Sequence, residues 1–189
     1  MDLLPSEQFF AWAAERGIEL DPRYPRADAL TLLDAGDHWR PWPLPRAPRE
    51  VLPFLETLLE AAAPGSAWLV YPRPGGHWYG GSGNVPINND LIDTVTRGVG
   101  IPAGFQGAVR FGSDERAPLL ALLVASLLFG WGTGEDLFAM PEDGSCLLLT
   151  DHHDQVIGEF ATAERLATVE RTMAAAGYDP QGTDLAPPT

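Results

Sequence analysis

The chain has no lysine: all twelve basic residues among its 189 are arginine. The lysine amine forms Schiff bases, neutralises phosphate in the P-loop and serves the Ser-x-x-Lys hydrolases. None of those chemistries can run here in its usual form. Cysteine is nearly as scarce. The single residue, Cys146, excludes an internal disulfide and any multi-cysteine metal cage. It lies in "GSCLLLT", which reads as a small buried apolar position, and its neighbours are acidic rather than the cations that activate a thiolate. The start, "MDLLPSEQ", has no basic n-region and no apolar core, so it does not read as a secretion signal. The longest apolar run, Ala117–Trp131, is broken by Ser126 and Gly130 and falls short of a membrane span. A cytoplasmic protein is the expectation.

Catalytic signatures are also missing. There is no His-Glu-x-x-His, no Gly-x-Ser-x-Gly elbow and no EF-hand loop. Within the glycine-rich stretch "RPGGHWYGGSGN", Arg73 to Asn84, the segment "GGSGNV", Gly80 to Val85, lacks the third glycine of the dinucleotide pattern, and no Gly-Lys-Ser/Thr follows. It reads as a flexible surface loop with His77, Trp78 and Tyr79 at its shoulder.

What the chain does have is negative charge: 26 acidic residues and a formal net charge of −14. The distribution is uneven. Residues 131–189 hold eleven acids against two arginines, a net of −9, while residues 65–130 are balanced. Such a field repels nucleic acid, whose binding runs on cationic contacts to phosphate, and it attracts basic proteins.

Hydrophobic periodicity and turn chemistry outline the architecture. Ser6 is placed to cap a first helix carrying Phe9, Phe10, Trp12 and Ala13, which Gly17 ends. The proline-dense segment Asp21–Glu50 follows, and Trp39 to Pro45 within it should be extended. Its tryptophans, Trp39 and Trp42, either pin an irregular strap to the core or dock on another protein. A second helix begins between Pro48 and Pro53, and "SAWLVYP" and "FQGAVRFG" read as strands. A helix is expected near Asn89–Arg97. Ser113 is placed to cap the long apolar helix, whose residues from Pro118 to Phe129 leave no solvent face of useful size. "EDLFAMP", "SCLLLT" and "VIGEFA" read as three strands joined by turns, and a helix from Thr162 to Ala176 closes them. The expected fold is a single α+β domain over residues 1–189. A largely antiparallel sheet of about five strands packs against helices and ends in a three-strand meander plus helix. Residues 1–64 are an alternative helical subdomain, and 180–189 read as a flexible tail.

The chemically densest stretch is "TDHHDQ". On a strand, Asp151 would share a face with His153, and His152 with Asp154, so neither face offers one ion three ligands. A metal-assisted hydrolase would therefore need Asp151, His152, His153 and Asp154 gathered in a turn, with His77 recruited from elsewhere. The simpler reading is a polar hairpin tip whose carboxylates favour the imidazolium. No cofactor is implied.

The closing pattern "DLFAMPEDGSCLLLTDHHDQVIGEFATAERLATVERTMAAAGY", Asp136 to Tyr178, covers about a quarter of the chain. It is similar to the C-terminal part of uncharacterised bacterial proteins that end in a strand meander and a helix. With the acidic charge and the missing enzyme motifs, the chain resembles the small acidic immunity partners of bacterial polymorphic toxins. The resemblance implies a non-catalytic protein that occludes the basic surface of a toxin domain. Glu135, Asp136, Glu142, Asp143, Asp151, His152, His153 and Asp154 are the expected partner-binding residues, solvated at turns. Nucleic acid and membrane are not expected partners.

Overall fold

The computed structural model describes residues 1–21, 29–70, 78–79, 86–129, 136–151 and 154–180. In chain order the elements are β1 (Asp2–Pro5), α1 (Ser6–Ala14), β2 (Ile18–Leu20), β3 (Leu30–Leu32), β4 (Trp39–Pro43), α2 (Pro48–Ala62), β5 (Ala67–Val70) and α3 (Pro86–Gly98). Then come β6 (Gly107–Phe111), a 3-10 turn (Ser113–Glu115), α4 (Arg116–Phe129), β7 (Leu137–Pro141), β8 (Cys146–Asp151), β9 (Gln155–Phe160) and α5 (Ala163–Ala175).

Turn chemistry builds the C-terminal meander as expected. After β7 the amide of Gly144 closes on the Pro141 carbonyl at 3.0 Å, and Gly144 takes φ +68°, the left-handed region open to glycine. The Asp143 carboxylate accepts the Ser145 amide at 2.9 Å, an Asx turn that launches β8. At the far end of β8, Asp154 adopts φ 60°, as the last residue of a three-residue hairpin loop often does. Thr162 caps α5 by accepting the Arg165 amide at 3.2 Å. Gly177, at φ +86°, ends it: the Tyr178 amide returns to the Met173 carbonyl at 2.9 Å, and the Tyr178 ring meets Phe54 of α2 edge-on at 5.1 Å.

Seven strands form one sheet in the order β1-β6-β5-β7-β8-β9-β4, every neighbour antiparallel. The expected five strands become seven because β1 and β4 add the two edges, and β2 and β3 form a separate pair. The alternation of side chains across the sheet feeds two cores. Leu69, Val109, Phe111, Ala139, Cys146, Leu148, Val156 and Phe160 face a layer of helices in which α2 touches α5 and α4, and α4 touches α3. Trp68, Val70, Ala108, Phe138, Met140 and Leu147 face α1 and the β2–β3 pair through Phe9, Ala13, Ile18, Leu30 and Leu32. Strands β5 and β7 are buried on both faces, which is why they read as unbroken apolar runs. Residues 1–64 supply both edge strands and one helix of the main layer, so they are woven into the single α+β domain.

Ser6 begins α1 but its side chain caps nothing; its amide instead donates to the Gln106 carbonyl at 3.2 Å, extending the β1–β6 ladder. Ser113 does not cap the apolar helix either. The longer Glu115 side chain reaches back to the Gly112 amide at 2.8 Å, so a 3-10 turn precedes α4. The proline-rich strap is a true edge strand. Phe160 donates its amide to His38 at 2.9 Å, and Leu44 donates to Asp154 at 2.8 Å. The even-numbered residues of β4 therefore face β9, and Pro41 and Pro43 occupy positions whose nitrogen points away, where a missing N–H costs no ladder bond.

Candidate binding surface

The expected acidic residues do not form one patch. Glu142 and Asp143 lie at the turn before β8, and Asp136, Asp151 and Asp154 at its other end. Six residues of strand separate them by roughly 17 Å at about 3.3 Å per residue. Glu135, His152, His153 and His77 lie outside the described residues. Asp151 is not solvated: it is 8% exposed, opposes Gln155 in the last β8–β9 pair and accepts its side-chain amide. The hairpin pairs one step further than expected, and that step draws the carboxylate inward. Asp136 is half-buried, and Asp154 is exposed.

At the opposite turn, Glu142 is exposed but engaged. Arg110 of β6 donates to its carboxylate and to that of Asp2, each at 2.8 Å, and to Ser66 Oγ at 3.3 Å. Those hydrogen bonds, Glu142 first and then Asp2, push the guanidinium pKa further up. Arg16 crosses the same turn: its Nε donates to the Glu142 carbonyl at 3.0 Å while its guanidinium stacks 4.4 Å from the centroid of Trp12.

The other arginines of the core region also turn inward. Arg116 and Arg165 donate to the Ala63 and Ala62 carbonyls at 2.8 and 2.9 Å, where the negative end of the α2 dipole needs donors. Burial lowers the pKa of Arg116, and Glu60 opposes that. Arg40 meets Glu170 at 2.6 Å. Five arginines are thus spent on the molecule's own carbonyls and carboxylates, and Glu19, Asp34, Asp37, Glu56 and Glu60 are left facing water.

Among the described candidate reactive groups, the thiol is inaccessible. Cys146 is fully buried, its thiol donates to the Ala62 carbonyl at 3.3 Å, and desolvation pushes its pKa up to about 12 despite Arg165. Among the described residues, no three His, Cys, Asp or Glu side chains are grouped to hold a metal ion. No described helix is long and apolar enough to cross a membrane. Trp78 is a core residue rather than the shoulder of a surface loop: it is buried, and its Nε1 donates to the Gly107 carbonyl at 2.9 Å. Tyr79 donates to the Ile101 carbonyl, and burial raises its pKa, with Arg97 lowering it and Asp93 raising it. Trp42 is fully buried against Phe160, ring centroids 6.2 Å apart, so it anchors the strap and has no surface with which to dock. Trp39 is half-buried.

One surface escaped the sequence reading. Helix α4 does have a solvent face: Ala117 and Ala121 are exposed, Val124 is half-exposed and Leu128 is 40% exposed. These residues fall within a narrow arc at about 100° per residue. The alanines at i and i+4 were the available signal, but in a helix apolar all round they cannot be told from core positions.

The chain matches no protein-family model, no curated protein and no solved structure.

Proposed function

We propose that this chain is a non-catalytic binding protein that engages a basic protein partner, in the manner of an immunity protein occluding a toxin surface. The observation that carries the reading is the direction of the charged side chains. Arg16, Arg40, Arg110, Arg116 and Arg165 are turned onto internal acceptors, while exposed carboxylates such as Glu56, Glu60 and Asp154 face solvent. Among the described residues, exposed carboxylates far outnumber the exposed arginines Arg46, Arg49, Arg97 and Arg171, so the described surface carries an excess of negative charge. Such a field steers a basic partner and accelerates encounter, more than it adds affinity. The inert thiol of Cys146 is in keeping with a binding role.

The decisive measurement is the association rate with a basic protein recovered on the immobilised chain from native lysate, at low and high salt. Reversing Glu56, Glu60 and Asp154 to arginine should slow association by about tenfold or more at low salt and leave the circular dichroism spectrum unchanged. A wild-type association rate indifferent to salt would remove the reading.

A further inference from the structure

The exposed face of α4 carries no charge. Ala117, Ala121, Val124 and Leu128 run along it for about 16 Å at ~1.5 Å per residue, three turns of helix. The two helices packed against α4 each carry an exposed leucine as well: Leu91 of α3 is 39% exposed, and Leu52 of α2 is 45% exposed. They also frame it with charge. On α2, Glu56 and Glu60 follow Leu52 at i+4 and i+8 and are exposed, and Glu60 is close enough to Arg116, at the start of α4, to influence its ionisation. On α3, Asp90 is exposed one residue before Leu91, and Arg97 is the one described cation of that helix.

An apolar strip three turns long with carboxylates beside it is complementary to one kind of object. The geometry points to docking of an amphipathic helix from the partner, with apolar residues at i, i+3, i+4 and i+7 and lysine or arginine on its flanks. This rests on the reading of the chain as a binder of basic proteins and names the surface and the shape of what it binds. The apolar strip supplies the anchor, since exposed charge contributes mainly rate, and the flanking acids set the sign of the partner. A second copy of the chain fits poorly, because each copy carries −14 and like charge opposes self-association.

The test is titration with three synthetic helical peptides. The first carries a leucine stripe at i, i+3, i+4 and i+7 with lysine elsewhere. The second has the same composition scrambled so that no stripe forms, and the third keeps the stripe but replaces lysine with glutamate. The striped lysine peptide should bind at least about tenfold more tightly than either control. The double variant Ala121→Glu/Leu128→Glu should lose that advantage. Both positions are exposed, so the fold should survive, and Glu56→Gln/Glu60→Gln gives a second readout by weakening the lysine peptide alone. Equal binding of striped and scrambled lysine peptides, or indifference to the double variant, would overturn the α4 surface and leave the basic-partner reading standing. Failure of both lysine peptides would remove the two together. Tight binding of the glutamate peptide would overturn the charge complementarity. A dimer in sedimentation that Ala121→Glu/Leu128→Glu dissolves would assign the face to a second copy and overturn the inference.

Discussion

Arg110 of β6 grips Glu142 of the β7–β8 turn, nitrogen to carboxylate oxygen 2.8 Å, from two strands away in the sheet. The pair joins the first half of the chain to the second, because the same guanidinium holds Asp2 on the edge strand β1. It also decides how much of the acidic turn is on offer to a partner. Glu142 belongs to the set expected to meet basic groups, and it has already met one.

Arg110→Gln should therefore act more on charge than on stability. Exposed ion pairs contribute about 0–1 kcal/mol each, so the melting temperature should move by only a few degrees. Freeing Asp2 and Glu142 should speed association with a basic partner at low salt. Thermal denaturation and stopped-flow kinetics on the same variant read the two effects, and a large loss of stability without a rate change would make the network purely structural.

Cys146 gives a pH dependence with a definite sign. Its folded pKa is raised to about 12, above the ordinary thiol value of roughly 8.5. Its contribution to stability is complete below the unfolded value and is lost as pH rises toward the folded one. Wild-type protein should thus lose stability between about pH 8.5 and 12, and Cys146→Ala should lose less over that range while starting lower for want of packing. Native protein should also resist thiol alkylation until denaturant opens the core.

Gly107 is fixed by space. It sits at φ +139°, and a Cβ there would lie 2.1 Å from the Leu4 carbonyl oxygen. Gly107→Ala must push β1 off β6 or forfeit the turn into α1. A loss of at least about 1–3 kcal/mol in urea denaturation is expected, with amide exchange rising first in residues 2–6. An unchanged midpoint would contradict this packing.

Pro43 guards the β4 edge, whereas Pro41 is buried. Pro43→Val restores an outward N–H group to a strand of high β propensity. Sedimentation velocity should show concentration-dependent association absent from the wild type, with little change in monomer stability. A variant that stays monomeric would mean the edge is protected by something other than the missing donor.

Much of the fold was legible because much of it is local. Pro141–Gly144 contains a turn wherever it occurs, and Thr162 and Gly177 bracket a helix with Leu166, Val169 and Met173 on its buried face. The meander strands declare themselves for the same reason, each being bounded by its own turn. Strand β1 was not legible: "DLLP" pairs only because residues 107–110 arrive from a hundred positions away. The two-stranded β2–β3 pair is equally non-local in its support, since the Leu32 amide donates to the Glu159 carboxylate of β9 at 2.7 Å.

By itself the sequence determined the acidic excess, the lack of lysine, the α+β class and the closing meander. All of these follow from composition or from contacts within a few residues. The tertiary structure alone decided which charges face outward. Asp151 is drawn inside by its cross-strand partner Gln155, the two acidic turns are separated by the length of β8, and five arginines point at acceptors far away in sequence. Exposure is a property of packing, and packing is set by long-range neighbours that no local pattern records.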